Sequence, residues 1–349
     1  MPVSLNNQSL RYSPQLDGLR AFCIIFTLFN HIEGAPSYIL GPVGVYVFFP
    51  LSGFLITNIL LDGGSYKSYY IKRFFRIAPL YYLALSLTAI ATYVTYLLNI
   101  APDKVSQLGE IFIPSLLFSR ELVNSVSAPT LFGQAWTIGV EEKFYLIFPL
   151  FIIVARRSSL NLLYLTAVFC LIFHVIVIYT EPQWVGGYLG IGYGVLAAVL
   201  YRLYGFSLDV KISLALVILA YVINMRFRPA DGMLLISITA SFFIVSLYAS
   251  EDSKVSRFLR MKIFVYLGRL TYSIYLFHVL ILYAVKLVLQ KLGAGHFILV
   301  FIFGYALCVL SCHFVYRYIE HPLIIKGKAM AAAVASGKSK EDGFKGGTT

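Results

Sequence analysis

The sequence predicts an all-α fold, a polytopic transmembrane helical bundle of about ten spans with both termini on the cytoplasmic side. Three observations predict it. Of the 349 residues, 59% are hydrophobic and only 13% are charged, where an average soluble domain carries roughly 25% charge. The apolar residues fall in runs at 18–33, 43–61, 77–100, 137–155, 160–180, 185–203, 212–225, 232–249, 271–290 and 296–316, most of them near the 20 or so residues that cross a hydrocarbon core. The lysines and arginines between these runs are unevenly shared. With the N-terminus inside, 21 fall in inner segments and 5 in outer ones, and this bias sets orientation. An ordinary soluble enzyme is excluded. The formal charge of +12, which in a soluble chain would suggest nucleic acid, belongs to the inner loops.

Taken in order, the elements read as follows. The first sixteen residues are polar, and Asp17 and Arg20 precede the first apolar run, so that run reads as an uncleaved span rather than a signal peptide. The piece Ile111 to Phe118 is too short to cross and contains Pro114, which predicts a break and an interfacial or re-entrant segment. Cys23, Cys170, Cys308 and Cys312 all sit in apolar runs without metal or disulfide spacing and read as small buried hydrophobes. Residues 1–324 then form one membrane domain. Residues 325–349, rich in Ala, Gly, Ser and Lys, read as a disordered basic cytoplasmic tail. No internal repeat is evident, which weighs against an inverted-repeat transporter.

Charge is costly in hydrocarbon, so ionisable groups inside spans are candidate functional residues. Arg20 and His31 in LDGLRAFCIIFTLFNHIEG are eleven residues apart, close to three helical turns, and therefore share a face about 16 Å apart along the axis. His31 is either a reactive imidazole near the midplane or a hydrogen-bonded structural one. Arg73 and Arg76 in YYIKRFFRIAPLYYL are i and i+3, two guanidinium forks on one face with Lys72 beside them. Such a pair suits phosphate oxygens, or it is plain positive-inside anchoring. Glu141 and Glu142 open the fourth run in AWTIGVEEKFYLIFPL. One of them could orient His31 across the bundle, as a carboxylate fixes an imidazole tautomer; alternatively they form an interfacial pair neutralised by Lys143. His278 in LTYSIYLFHVLI lies among Tyr272, Ser273 and Tyr275, a plausible polar lining. His174 and His313 read as core residues. No set of His, Asp, Glu or Cys has metal spacing, so no metal is expected.

Several of these strings, in order, resemble the acyltransferase-3 family of polytopic membrane acyl transferases. They are LDGLR with His31 following, GVYVFFPLSGFLITNIL, KRFFRIAPLYYL, AWTIGVEEKFYLIFPL, LGRLTYSIYLFHVLI and YRYIEHPL, covering about residues 14 to 324. Pro50 and Gly139 depart from the family's usual residues. The resemblance implies transfer of an acyl group, commonly acetyl, from cytoplasmic acyl-CoA to a hydroxyl of a carbohydrate or glycoconjugate. It implies that His31 is the catalytic histidine, that Arg73 and Arg76 are associated with the donor, that Arg20 belongs to the same constellation, and that Glu141 and Glu142 are the family's acidic pair. It also implies a stand-alone form without a fused esterase-like domain, in a bacterial inner membrane.

On this reading the CoA phosphates bind at Arg73 and Arg76, with Arg20 at the entry. The pantetheine arm runs along the first helix, and His31 removes the acceptor proton as general base, with Glu142 as its orienting carboxylate. A covalent acyl-His intermediate is a second route. Trp136, Tyr145, Tyr275 and His278 are expected to line the acceptor site or the cavity. No resident cofactor and no nucleic-acid partner are expected; acyl-CoA, the glycan and membrane lipid are the partners. The competing classes are a proton-coupled transporter of a lipid-linked sugar, with His31 and Glu142 as a relay, and a structural membrane subunit.

Overall fold

The computed structural model describes residues 11–32, 34–36, 43–100, 104–123, 132–157, 162–180, 183–227 and 232–336. Among them there is no strand. The helices are α1 (Pro14–Asn30), α2 (Val43–Leu61), α3 (Tyr66–Leu97), α4 (Lys104–Leu116), α5 (Ala135–Arg157), α6 (Leu162–Thr180), α7 (Gln183–Tyr204), α8 (Val210–Phe227), α9 (Gly232–Ala249), α10 (Lys254–Leu259), α11 (Lys262–Arg269), α12 (Thr271–Lys291), α13 (Phe297–Val315) and α14 (His321–Ala335). Most of each of the ten apolar runs falls, among the described residues, in a helix. Among the described residues, six helices are long and apolar enough to cross a membrane: α2, α3, α7, α8, α12, and α13 with its continuation. The chain is a multi-pass membrane protein.

The centre is built by α1, α2, α7 and α9, with α3, α5 and α12 closing the side on which the site lies. Helices meet closely here because small residues stand at the crossings, the usual device where lipid is as apolar as the side chains. A Cβ on Gly53 of α2 would lie 2.1 Å from the carbonyl oxygen of Ile191, and one on Gly194 of α7 would lie 2.0 Å from that of Pro50. The two backbones therefore touch. Gly53→Leu is expected to cost about 3 kcal/mol through overpacking and to lower the thermal midpoint in detergent by about 5–10 °C. Gly109→Leu, where nothing lies within 4 Å, should leave it unchanged, and equal melting of the two variants would refute the close crossing.

Prolines inside spans are compensated by neighbouring helices. Pro50 has no N–H for the carbonyl of Tyr46, four residues earlier, and Ser237 of α9 donates its Oγ to that oxygen at 2.9 Å. Pro149 likewise frees the Tyr145 carbonyl, which accepts from the Tyr69 hydroxyl of α3 at 3.3 Å. The departure at Pro50 thus links α2 to α9 without an orphaned carbonyl.

Two expectations are corrected. Ile111 to Leu116 does not break at Pro114 but completes α4. The proline sits in the last turn, where the carbonyls of Ser115 and Leu116 accept from the hydroxyls of Tyr81 and Tyr82 at 2.8 and 3.1 Å, so the helix end is satisfied from α3. Residues 325–335, expected in a structureless tail, form most of α14. This helix docks along the start of α3, with Ser68 Oγ donating to the Ala331 carbonyl at 2.8 Å and Gly327 against the Phe75 side chain. Small residues on one face supply what composition alone did not show. Residues 337–349 lie outside the described set.

Candidate active site

Where α1 begins, the starts of α1 and α3, the end of α11 and the face of α14 enclose a cavity of about 990 Å³. Seven cations line it, Arg20, Lys72, Arg73, Arg76, Arg269 and Lys328 among them, against two carboxylates, Asp17 and Glu320. Arg73 and Arg76 share this wall because α3 starts well before its apolar run, so both lie in the helix's first three turns. Arg20 is held by Asp17, its Nη1 donating to Oδ1 at 2.9 Å, while the other oxygen of Asp17 accepts from Tyr12 at 2.7 Å. The backbone of α11 abuts that of Asp17 at Gly268, where a Cβ would lie 1.9 Å from the Asp17 carbonyl oxygen. That contact fixes the turn carrying Arg20.

The vestibule narrows into a channel of about 90 Å³ that shares Arg20, Leu55, Arg73, Arg76 and Gly268 with it. Arg73 stands at the junction, its Cζ 4.4 Å from the centroid of the Tyr145 ring, a cation–π contact. The Tyr145 hydroxyl hydrogen-bonds Ser52. Glu141 and Glu142 line the channel, and each has a buried Oε1 without a hydrogen-bond partner. The Nε of Arg20 is buried and unpartnered too. Buried polar atoms are rarely left so, and here they face a cavity. The walls between them are apolar: Ile24, Phe48, Phe49, Leu55 and Ile77.

The far end is marked by Thr27, Thr137 and Tyr275. Tyr275 of α12 donates its hydroxyl to the Gln134 carbonyl at 2.9 Å and hydrogen-bonds Thr137, joining α12 to the start of α5. One turn beyond Thr27, His31 caps α1. Its ring folds back so that Nδ1 lies 2.8 Å from the Thr27 carbonyl, and its surface is exposed at the helix end. His278 of α12 is fully buried, with Nδ1 2.8 Å from the Tyr275 carbonyl and Nε2 3.3 Å from His31 Nδ1. The two rings meet edge to face at 4.8 Å.

A run of arginines at one end, buried carboxylates along a narrow path and an exposed imidazole at the other recur in the order of the family motifs, and the family profile described as "Acyltransferase domain" matches residues 13–317. The chain belongs to the acyltransferase-3 family. It is 26% identical to YrhL of Bacillus subtilis (strain 168), over 92% of this chain and 56% of YrhL. It is 27% identical to the O-acetyltransferase OatA of Staphylococcus aureus (strain NCTC 8325 / PS 47), over 93% of this chain and 59% of that protein. It is 31% identical to the peptidoglycan O-acetyltransferase OatA of Listeria monocytogenes serovar 1/2a (strain ATCC BAA-679 / EGD-e), over 44% of this chain and 26% of that protein. The chain thus spans less than two thirds of the length of these relatives. No solved structure matches it.

Within this acyltransferase-3 chain, the expected donor residues Arg20, Arg73 and Arg76 converge on one cavity. His31 lies at the helix end and not deep in the bundle. No hydrogen bond joins it to Glu141 or Glu142 among the described residues; its side-chain partner is His278. Both glutamates lie nearer the arginine end, Glu141 beside Ser52 and Tyr145, because the start of α5 is tied to α12 through Gln134 and Tyr275. Lys143 does not neutralise them, since it pairs with Glu121. Tyr145 lines the channel beneath Arg73, while Tyr275 and His278 stand at the far end. Trp136 is half-buried with its ring 5.9 Å from that of Phe49. Asp17, Ser52 and Glu320 were not singled out from sequence. Each stands inside a quoted motif, but only the fold shows Asp17 holding Arg20 and Ser273 bonding Glu320 at the vestibule wall.

Proposed function

We propose that the chain is a membrane O-acyltransferase that moves an acetyl group from acyl-CoA, bound on the cytoplasmic side, to a hydroxyl of a cell-wall glycan in the bacterial inner membrane. The observation that carries this is the basic vestibule opening into one narrow channel whose far end adjoins His31. On this reading the chain crosses ten times with both termini inside, as the Lys and Arg bias supports, and the vestibule faces the cytoplasm. CoA carries a diphosphate and a 3′-phosphate, and guanidinium groups hold such oxygens through paired hydrogen bonds. Its amide-bearing pantetheine arm suits a slender path with apolar walls and free carboxylate oxygens. The relatives named O-acetyltransferases and peptidoglycan O-acetyltransferases support acetyl as the group and a glycan as the acceptor.

His31 then acts from Nε2. It takes the proton of the acceptor hydroxyl as that oxygen attacks the thioester carbonyl. The tetrahedral adduct collapses, the C–S bond breaks, and the imidazolium returns its proton to the departing CoA sulfur. Glu141 and Glu142 position the donor on this reading, a change from the orienting role expected of Glu142. Purified protein in lipid nanodiscs, given acetyl-CoA and a hydroxylated muropeptide, is expected to release free CoA in step with acetyl ester. Glycan movement across liposomes without acetyl-CoA consumption would replace the enzyme with a transporter. Incubation with radiolabelled acetyl-CoA alone is expected to leave no protein-bound label, as direct transfer requires; stable label lost in His31→Ala would establish an acyl-His route instead.

A further inference from the structure

The His31–His278 contact has a direction that hydrogen counting reveals. A carbonyl oxygen can only accept. The nitrogen of His31 that lies 2.8 Å from the Thr27 carbonyl, Nδ1, must therefore carry hydrogen, and the same holds for His278 Nδ1 at 2.8 Å from the Tyr275 carbonyl. In neutral imidazole the other nitrogen is then a lone pair. So His278 offers an unprotonated Nε2, and the atom facing it at 3.3 Å is the protonated Nδ1 of His31. The His31 N–H is shared between a backbone carbonyl in its own helix and an imidazole lone pair from α12. His31 is left with Nε2 as its free lone pair, the atom a general base needs.

We propose that His278 is the positioning residue of His31, the acceptor that fixes its tautomer and ring orientation and supports its N–H when Nε2 is protonated in the reaction. This rests on the transferase reading above. The role is the one an orienting carboxylate fills in other acid–base pairs, performed here by a neutral ring that adds no charge to the bundle. Complete burial of His278 suits that task, since water cannot compete for its lone pair, while the exposed surface of His31 leaves the reactive ring reachable. The ring of His278 is itself held, by Tyr275, whose hydroxyl is anchored on Gln134. The restraint thus runs back to α5.

The test compares His278→Phe, which keeps a flat ring without an acceptor, with His278→Gln, whose amide oxygen reaches the place of Nε2. His278→Phe is expected to lower kcat by about 10- to 100-fold while the KM for acetyl-CoA stays within about 3-fold, and His278→Gln to recover most of the rate. A wild-type kcat in His278→Phe, or equally slow Phe and Gln variants that melt like the unmutated protein, would overturn the assignment. Unmutated protein turning over in the same assay separates this outcome from failure of the transferase reading. Independently of any variant, 15N NMR of the ring nitrogens in nanodiscs should show both histidines protonated at Nδ1, and an Nε2–H tautomer at either would overturn it as well.

Discussion

His31→Ala is expected to reduce kcat for acyl transfer by about 10²- to 10⁴-fold, the span that a positioned general base contributes. Binding of acetyl-CoA should change little, because Arg20, Arg73 and Arg76, proposed to hold the donor, lie at the opposite end of the channel from His31. The site also predicts where the loss falls. His31 caps α1 after Asn30, so its side chain can be removed without interrupting the helix, and the protein should fold and melt as before. His31→Gln should not restore the rate, since an amide at that position can hydrogen-bond but cannot carry the proton. Release of free CoA with acetyl-CoA and glycan present gives the measurement directly. Wild-type turnover in His31→Ala would remove His31 from the chemistry, and a raised donor KM with unchanged kcat would place it on the binding path.

The second large effect is expected at Arg73. Arg73→Ala should raise the KM for acetyl-CoA by about 10- to 100-fold, the loss of one or two hydrogen bonds to a charged oxygen, and leave kcat within a few-fold. Lys cannot substitute well. The Arg73 guanidinium lies 4.4 Å from the Tyr145 ring centroid and uses a planar face that an ammonium lacks, so Arg73→Lys should recover only part of the affinity. Because the vestibule is open and cationic, its attraction for the donor is screened. Raising ionic strength should weaken binding of CoA to the unmutated protein measurably by calorimetry and weaken it less in Arg73→Ala. Equal donor affinity in the variant and the unmutated protein would move the phosphate site away from α3.

Much of this site can be read from the chain. Arg73 and Arg76 share a face through their i,i+3 spacing, and Arg20 and His31 through their near three turns. Arg73 and Arg76 lie in one continuous helix, α3, and line the same cavity as Arg20, whereas α1 ends at Asn30 and His31 is its C-cap. What could not be read is which helix each face meets. On α13 the buried residues are Val300, Gly304, Cys308 and Cys312, while the larger Ile302, Phe303, Leu307 and Leu310 are exposed. In a soluble helix the apolar stripe marks the core; here both faces are apolar, and burial follows small size at close crossings. The cysteines are accordingly buried and free, as their setting in apolar runs implied. The same principle explains α14, whose docking on α3 depends on Gly327 and Ala331, in a stretch whose composition suggests no structure at all.

The sequence by itself determined a multi-pass helical chain, the order of its apolar segments and the residues able to hold an anion or move a proton, because hydropathy, helical period and charge cost act locally. Tertiary structure alone decided that His31 faces His278, 247 positions away, that Glu141 and Glu142 line the path from the arginines, and that five separate helices supply one vestibule. Those outcomes depend on which helices lie side by side. That is fixed by shape at a few glycine and small-residue crossings and by hydroxyl contacts to carbonyls freed at prolines, interactions between parts of the chain that share no local pattern.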